Sequence, residues 1–183
     1  MDADEALPRV SAALSGVPHV FVGAMGRLVW GRPRTTGDLD VQIAVDAAGW
    51  SRVCAAFAVV GLRLDDAWGP EDPGSEVPDH ARFSFEDGFR VDVMLATTPF
   101  QREVVSRGVD VTYKGVPIRV ETVEDLLVYK LIAGRPKDWD DIEDVVEGRV
   151  GAGLPIDWTY VERHAADWGL LEVVAALRAR FRA

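Results

Sequence analysis

Asp38 and Asp40 open an otherwise apolar run containing Leu39, Val41, Ile43 and Val45. The alternation predicts a strand over Leu39–Val45. Strand side chains two apart leave the same face, so both carboxylates point one way, with Cα atoms roughly 6.5–7 Å apart. Two carboxylates converging on one side suit an oxygen-preferring divalent cation; a pair of turn acids starting a strand is the plainer alternative. A third acid favours the cation. Phe89-Arg90-Val91-Asp92-Val93-Met94-Leu95 is apolar enough for a sheet interior, yet Asp92 stands at its centre. A carboxylate there is costly unless it is paired or binds a cation. Asp38, Asp40 and Asp92 form a candidate ligand set for one or two Mg2+ (or Mn2+) ions against a triphosphate, orienting the nucleophile and stabilising the leaving pyrophosphate. The rival for Asp92 is an ion pair with Arg90 or Arg82.

Further residues could serve the same chemistry. Pro18-His19-Val20-Phe21-Val22-Gly23 reads as a short buried strand ending in glycine, followed by a short helix from Ala24 to Trp30. The backbone N–H groups of Gly23 and Ala24, at that helix start, are candidate phosphate donors. Arg34, four residues before Asp38, is a candidate triphosphate contact, with a surface arginine as the alternative; Arg27 and Arg32 are weaker candidates. Val123, Leu126, Leu127 and Leu131 make an apolar stripe on a predicted helix, and Lys130 lies within it. A lysine facing the core needs an anion or must snorkel to solvent. Asp138, Asp140 and Asp141 fall in a first helical turn after Pro136, where acids complement the dipole. Asp138 and Asp141 share a face, so one of them can pair with Lys130 or Arg135. The acidic run as a whole reads as a solvated face.

Together these features carry a resemblance. A glycine turn after a strand, then Arg34-Thr35-Thr36-Gly37-Asp38-Leu39-Asp40, then Val91-Asp92-Val93 on a later strand, resembles the nucleotidyltransferases of the polymerase-β-like superfamily. The wording Gly31-Arg32-Pro33-Arg34-Thr35-Thr36-Gly37-Asp38-Leu39-Asp40 is most similar to the AbiEii-type bacterial subgroup, which includes toxins of toxin–antitoxin pairs. Lys130-Leu-Ile-Ala-Gly-Arg135-Pro-Lys137-Asp138 is similar to a segment of that subgroup whose lysine lies near the nucleotide. The resemblance spans about residues 15–145. It implies that Asp38 and Asp40 bind metal, and that Asp92 binds metal and assists deprotonation of the attacking hydroxyl. It also implies that Lys130 belongs to the catalytic and nucleotide-binding set, and Thr36 to the nucleotide contacts. The family commonly has Gly-Gly or Gly-Ser in the turn; Gly23-Ala24 lacks that hydroxyl.

The elements that must position these residues follow from pattern and punctuation. Residues 3–15 read as an opening helix, Trp50–Val60 as a helix stopped by Gly61, and Gly69–His80 as a loop. Arg82–Glu86 and Phe89–Leu95 are predicted to pair through Asp87-Gly88, and Val109–Tyr113 with Val116–Val120 through Lys114-Gly115. Helices are expected over Pro99–Arg107, Val123–Ala133, Lys137–Glu147, Trp158–Trp168 and Leu170–Arg182. The expected fold is α+β: a mixed sheet flanked by helices, with a core over residues 1–121 and a C-terminal helical part over 122–183 packed on it.

Composition limits the partners. Twenty basic and thirty acidic residues leave a net charge of −10, which disfavours strong non-specific nucleic-acid or anionic-membrane binding. The single cysteine, Cys54, excludes an internal disulfide framework. No apolar run reaches the ~20 residues of a membrane helix, and the acidic start Met1-Asp2-Ala3-Asp4-Glu5 does not read as a signal peptide. The expectation is a cytoplasmic, Mg2+-dependent enzyme. It would move an NMP group from an NTP to an acceptor hydroxyl on tRNA, protein or a small molecule, with an antitoxin partner implied by the resemblance. The rivals are an antibiotic-modifying nucleotidyltransferase and a non-catalytic nucleotide-binding or regulatory module of the same fold.

Overall fold

The computed structural model describes residues 1–32, 36–69 and 77–181. The chain divides into two compact units, Met1–Met25 with Thr35–Glu121, and Gly26–Arg34 with Thr122–Ala183. In order, the elements are α1 (Ala3–Ala13), β1 (His19–Val22), α2 (Ala24–Trp30), β2 (Asp38–Ile43), α3 (Ala47–Val59), β3 (Arg63–Trp68), β4 (His80–Ser84) and β5 (Arg90–Leu95). They continue as α4 (Pro99–Arg107), β6 (Val109–Tyr113), β7 (Val116–Val120), α5 (Val123–Ala133), α6 (Pro136–Gly151), α7 (Trp158–Ala166) and α8 (Leu171–Arg180).

The described strands form one mixed sheet in the first unit, ordered β3-β4-β5-β2-β1-β7-β6. The β2–β5 and β1–β7 pairs are parallel and the other neighbours antiparallel. Register partners share a face, so the alternation within each strand separates two surfaces. One surface carries Phe21, Leu39, Val41, Ile43, Ala81, Phe83, Val91, Val93 and Leu95, all buried. Phe57 of α3 meets Phe83 on that side edge to face, with ring centroids 4.9 Å apart. Buried Leu7 and Val10 of α1 and Val104 and Val105 of α4 add to this unit's core. The other surface of β2, β5 and β4 presents Asp38, Asp40, Arg90, Asp92 and Arg82.

The second unit is helical. Thr122 and Asp125 form a capping box at the start of α5, and Gly134 closes it in the left-handed region at φ +61°. Leu126, Leu127 and Leu131 of α5, Ile142 and Val145 of α6, Val161 of α7 and Val174 of α8 are buried. The Tyr160 hydroxyl donates to buried Asp125 across α5 and α7. Among the described residues no helix is long and apolar enough to cross a membrane.

Several boundaries differ from expectation for identifiable reasons. β3 was not anticipated: all six of its residues are exposed, so it shows no apolar alternation. α3 starts at Ala47 because Asp46 caps it, accepting from the Gly49 N–H at 2.7 Å. α6 runs on to Gly151. At the β4–β5 hairpin, Phe85 pairs with Phe89 and Gly88 lies at φ +87°, which makes a three-residue loop rather than the expected two. The Lys114-Gly115 turn takes positive φ at both residues, 48° and 83°, as a two-residue type I′ hairpin requires.

Candidate active site

The parallel register of β2 and β5 sets Asp40 beside Asp92 and Asp38 beside Arg90, all on the charged surface of the first unit. Asp38 is positioned by its neighbours. The Thr36 hydroxyl donates to its Oδ1 and to its carbonyl oxygen, at 3.1 and 2.9 Å, and Arg90 Nη2 lies 3.9 Å from Oδ2. Thr36 therefore engages Asp38 itself. Val22 is the register partner of Asp40, so the following residue, Gly23, arrives against that carboxylate. At φ +60° the backbone here favours glycine, and a Cβ at position 23 would lie 2.9 Å from Asp40 Oδ2 and displace that carboxylate. The Gly23 N–H, expected to face a phosphate, donates instead to Oε1 of Glu121 at 2.6 Å. Glu121, the residue after β7, is fully buried and was not singled out in the sequence. Its only signal is an acid closing an apolar strand just before the Thr122 cap. Ala24 opens α2.

Asp92 is held by an arginine. Arg82, its register partner on β4, donates from Nε to Oδ1 at 2.7 Å and from Nη2 to Oδ2 at 2.9 Å. This bidentate fork raises the Arg82 pKa above the ordinary guanidinium value. The guanidinium also lies over the Trp68 ring, 5.5 Å from its centroid. A cavity of about 280 Å3 opens here, lined by Asp40, Trp68, His80, Arg82, Asp92 and Met94. A larger groove of about 810 Å3 lies along α1, β6 and β7, but Asp38, Asp40 and Asp92 do not line it, and its facing charges are the Arg119–Asp110 ion pair.

The donor chemistry fits a divalent cation: three carboxylates at neighbouring positions on one face, all partly open to solvent. Their present conformation is a different matter. Among the described residues, no three acidic, histidine or cysteine side chains are drawn together as a metal-binding group.

Lys130 belongs to the second unit. Its ammonium donates to Asp138 at 3.0 Å and to Asp141 at 2.7 Å, and all three side chains are buried. The pairs continue outward on both sides: Arg135 grips Asp138, Arg27 meets Asp141 and Asp144, and Arg32 meets Asp144. The acidic run is thus no solvated face at Asp138 and Asp141. Their i, i+3 spacing continues to Asp144, beside buried Ile142 and Val145, and that was the available signal. Arg34, with its neighbour Thr35, lies outside the described residues.

No protein-family model and no curated protein sequence matches the chain. Solved structures do. An antigenic nucleotidyltransferase-like protein from Paracoccidioides brasiliensis is 15% identical at a TM-score of 0.59, covering 100% of this chain and 94% of that one. The antibiotic-resistance factor ANT(2'')-Ia is 17% identical at 0.60, covering 98% of each chain. The lincomycin-bound lincosamide antibiotic adenylyltransferase LnuA is 16% identical at 0.56, covering 79% of this chain and 96% of that one. Likeness at these identities establishes the fold: this chain has the nucleotidyltransferase-like α+β architecture.

The buried ionic chain makes two expectations. Lys130→Met leaves two buried carboxylates with one cation fewer. Removing one partner of a buried pair costs roughly 3–5 kcal/mol, and Arg135 and Arg27 soften the loss, so denaturant unfolding should show a decrease of at least about 2 kcal/mol. Unchanged or raised stability would instead return Lys130 to the phosphate-binding role. For Asp138, burial works to raise the pKa, but hydrogen bonds from Arg135 and Lys130 outweigh it and lower it from 3.8 to about 2. As pH falls the unfolded chain takes up this proton first, so the stabilisation is complete above about pH 4 and lost between about pH 4 and 2. Melting temperature should fall through that window, and less steeply in Asp138→Asn; equal steepness in both proteins would contradict the assignment.

Proposed function

We propose that the chain is a nucleotidyltransferase that moves an NMP group from an NTP to an acceptor hydroxyl and releases pyrophosphate. The observation that carries this reading is the register of β2 and β5. It puts Asp40 beside Asp92 with Asp38 two residues away, on the open face of a sheet of nucleotidyltransferase-like fold. Asp38, Asp40 and Asp92 would hold Mg2+, or Mn2+, which when bound polarises the triphosphate and neutralises charge on the departing pyrophosphate.

The chain's own residues supply the rest. The acceptor enters the cavity beside Asp92, and its hydroxyl oxygen attacks the α-phosphorus as the bond to the bridging oxygen breaks. Asp92 takes the hydroxyl proton, and the cavity walls of Trp68, His80 and Met94 hold the acceptor in line. Thr36 fixes Asp38, and Gly23 leaves the space that the Asp40 carboxylate fills. Lys130, which the resemblance places near the nucleotide, enters this reading by holding Asp138 and Asp141.

A small-molecule acceptor is favoured over nucleic acid. The net charge is −10, the cavity is small, and two structures of the same fold are described as an antibiotic-resistance factor and an antibiotic adenylyltransferase. A tRNA end or a protein hydroxyl, with an antitoxin partner, follows from the AbiEii-type wording of residues 31–40 and makes the second reading.

Incubation with each NTP and Mg2+, followed by mass spectrometry of hydroxylated small molecules, tRNA and protein, separates these acceptors by where the nucleotidyl mass appears. Asp40→Asn removes one charged oxygen ligand without changing volume, so pyrophosphate release should fall at least about 10²-fold while the fold is kept. Release at the wild-type rate in Asp40→Asn would sink the site assignment.

A further inference from the structure

We propose that Arg82 is a resident cation that occupies Asp92 until a metal-bound nucleotide displaces it, so that the divalent site is completed only in the presence of substrate. The inference rests on the functional reading above and adds a regulation of that site. Four observations carry it. First, the fork uses both oxygens of Asp92, at 2.7 and 2.9 Å, leaving neither carboxylate oxygen without an arginine hydrogen bond. Second, the same three acids that share a face by register are not gathered for an ion, and Asp92 is the member engaged by an arginine fork.

Third, Arg82 has somewhere to go. Asp65 on β3, whose Oδ1 accepts from the Ser84 hydroxyl, lies close enough to act on its charge, and the Trp68 ring already lies beneath the guanidinium. A cation released from Asp92 therefore keeps a carboxylate and an aromatic face within the reach of one side chain. Fourth, the pair is open to water: the side chains of Arg82 and Asp92 are 38% and 26% exposed, against 9% and 0% for Lys130 and Asp138. A solvent-facing pair separates far more easily than a buried one. The arrangement is that of a two-position side chain whose balance a ligand can tip by binding one state better.

The test reads metal binding rather than turnover. Mn2+ is titrated into the protein by electron paramagnetic resonance, first alone and then with a non-hydrolysable NTP analogue. Without nucleotide, Arg82→Gln should bind Mn2+ roughly tenfold tighter than wild type or better, the worth of losing one charge-assisted competitor. Arg82→Lys, which keeps the charge but not the fork, should fall between the two. Adding Asp92→Asn to Arg82→Gln should abolish the gain. With the analogue at saturation, wild type and Arg82→Gln should reach the same Mn2+ stoichiometry, wild type needing the higher concentration.

If Arg82→Gln does not fold by its melting curve, Arg82→Lys carries the comparison on its own: tighter binding than wild type supports the proposal and equal binding overturns it. If wild type binds Mn2+ with nucleotide but neither variant binds it more tightly without nucleotide, Arg82 does not guard the site and the transferase reading stands. If no protein binds Mn2+ in either condition, the metal site fails and this proposal falls with it.

Discussion

Carboxylates set side by side on the central strands of a sheet repel one another, and the first unit is arranged around holding that charge. The apolar face of β2 and β5 fixes the strands through buried Leu39, Val41, Val91 and Val93. With the strands fixed, the register leaves Asp38, Asp40 and Asp92 no choice of side. What surrounds them offsets the repulsion: Thr36 donates to Asp38, Arg90 stands near it, and Arg82 forks Asp92. Gly23 is the steric counterpart, since any side chain there would meet Asp40. The charge is tolerated because it faces water and neighbouring cations; on the buried face of the same strands it would have no compensation.

The second unit handles charge differently. Lys130, Asp138 and Asp141 are nearly sealed from solvent, and their ion pairs extend as an alternating series to Arg135, Arg27, Asp144 and Arg32. A series with every member partnered suits a fixed framework, because deleting one member strands the next. Arg82 and Asp92, half open to water and placed beside a cavity, suit a contact that can be exchanged. The contrast is between a sealed network, which suits a framework, and an open fork, which suits a contact that a ligand could exchange.

Much of this was legible in the sequence where local chemistry alone decides the structure. The Lys114-Gly115 hairpin, α5 over Val123–Ala133 and the common face of Asp38 and Asp40 depend on turn type, period and pleat. Asp92 stood out as a charge within an apolar strand, and its pairing with Arg82 was one of the two alternatives its position allowed. The remainder depended on contacts distant in the chain. β3 is an edge strand with every residue exposed, so its sequence carries no burial pattern. Glu121 meets Gly23 from 98 residues away, which no local signal encodes. The depth of Asp138 and Asp141 follows from the packing of α5 against α6, although their three-residue spacing hinted at a shared face.

In the function proposed above, the face shared by β2 and β5 binds a divalent cation together with a nucleoside triphosphate. Crystals grown with Mn2+ and a non-hydrolysable NTP analogue, measured at the manganese absorption edge, test it most directly. Anomalous density is expected between the carboxylates of Asp38, Asp40 and Asp92, with the triphosphate beside it and Asp92 no longer forked by Arg82. Manganese and triphosphate found elsewhere on the protein, with the Arg82–Asp92 pair intact, would contradict it.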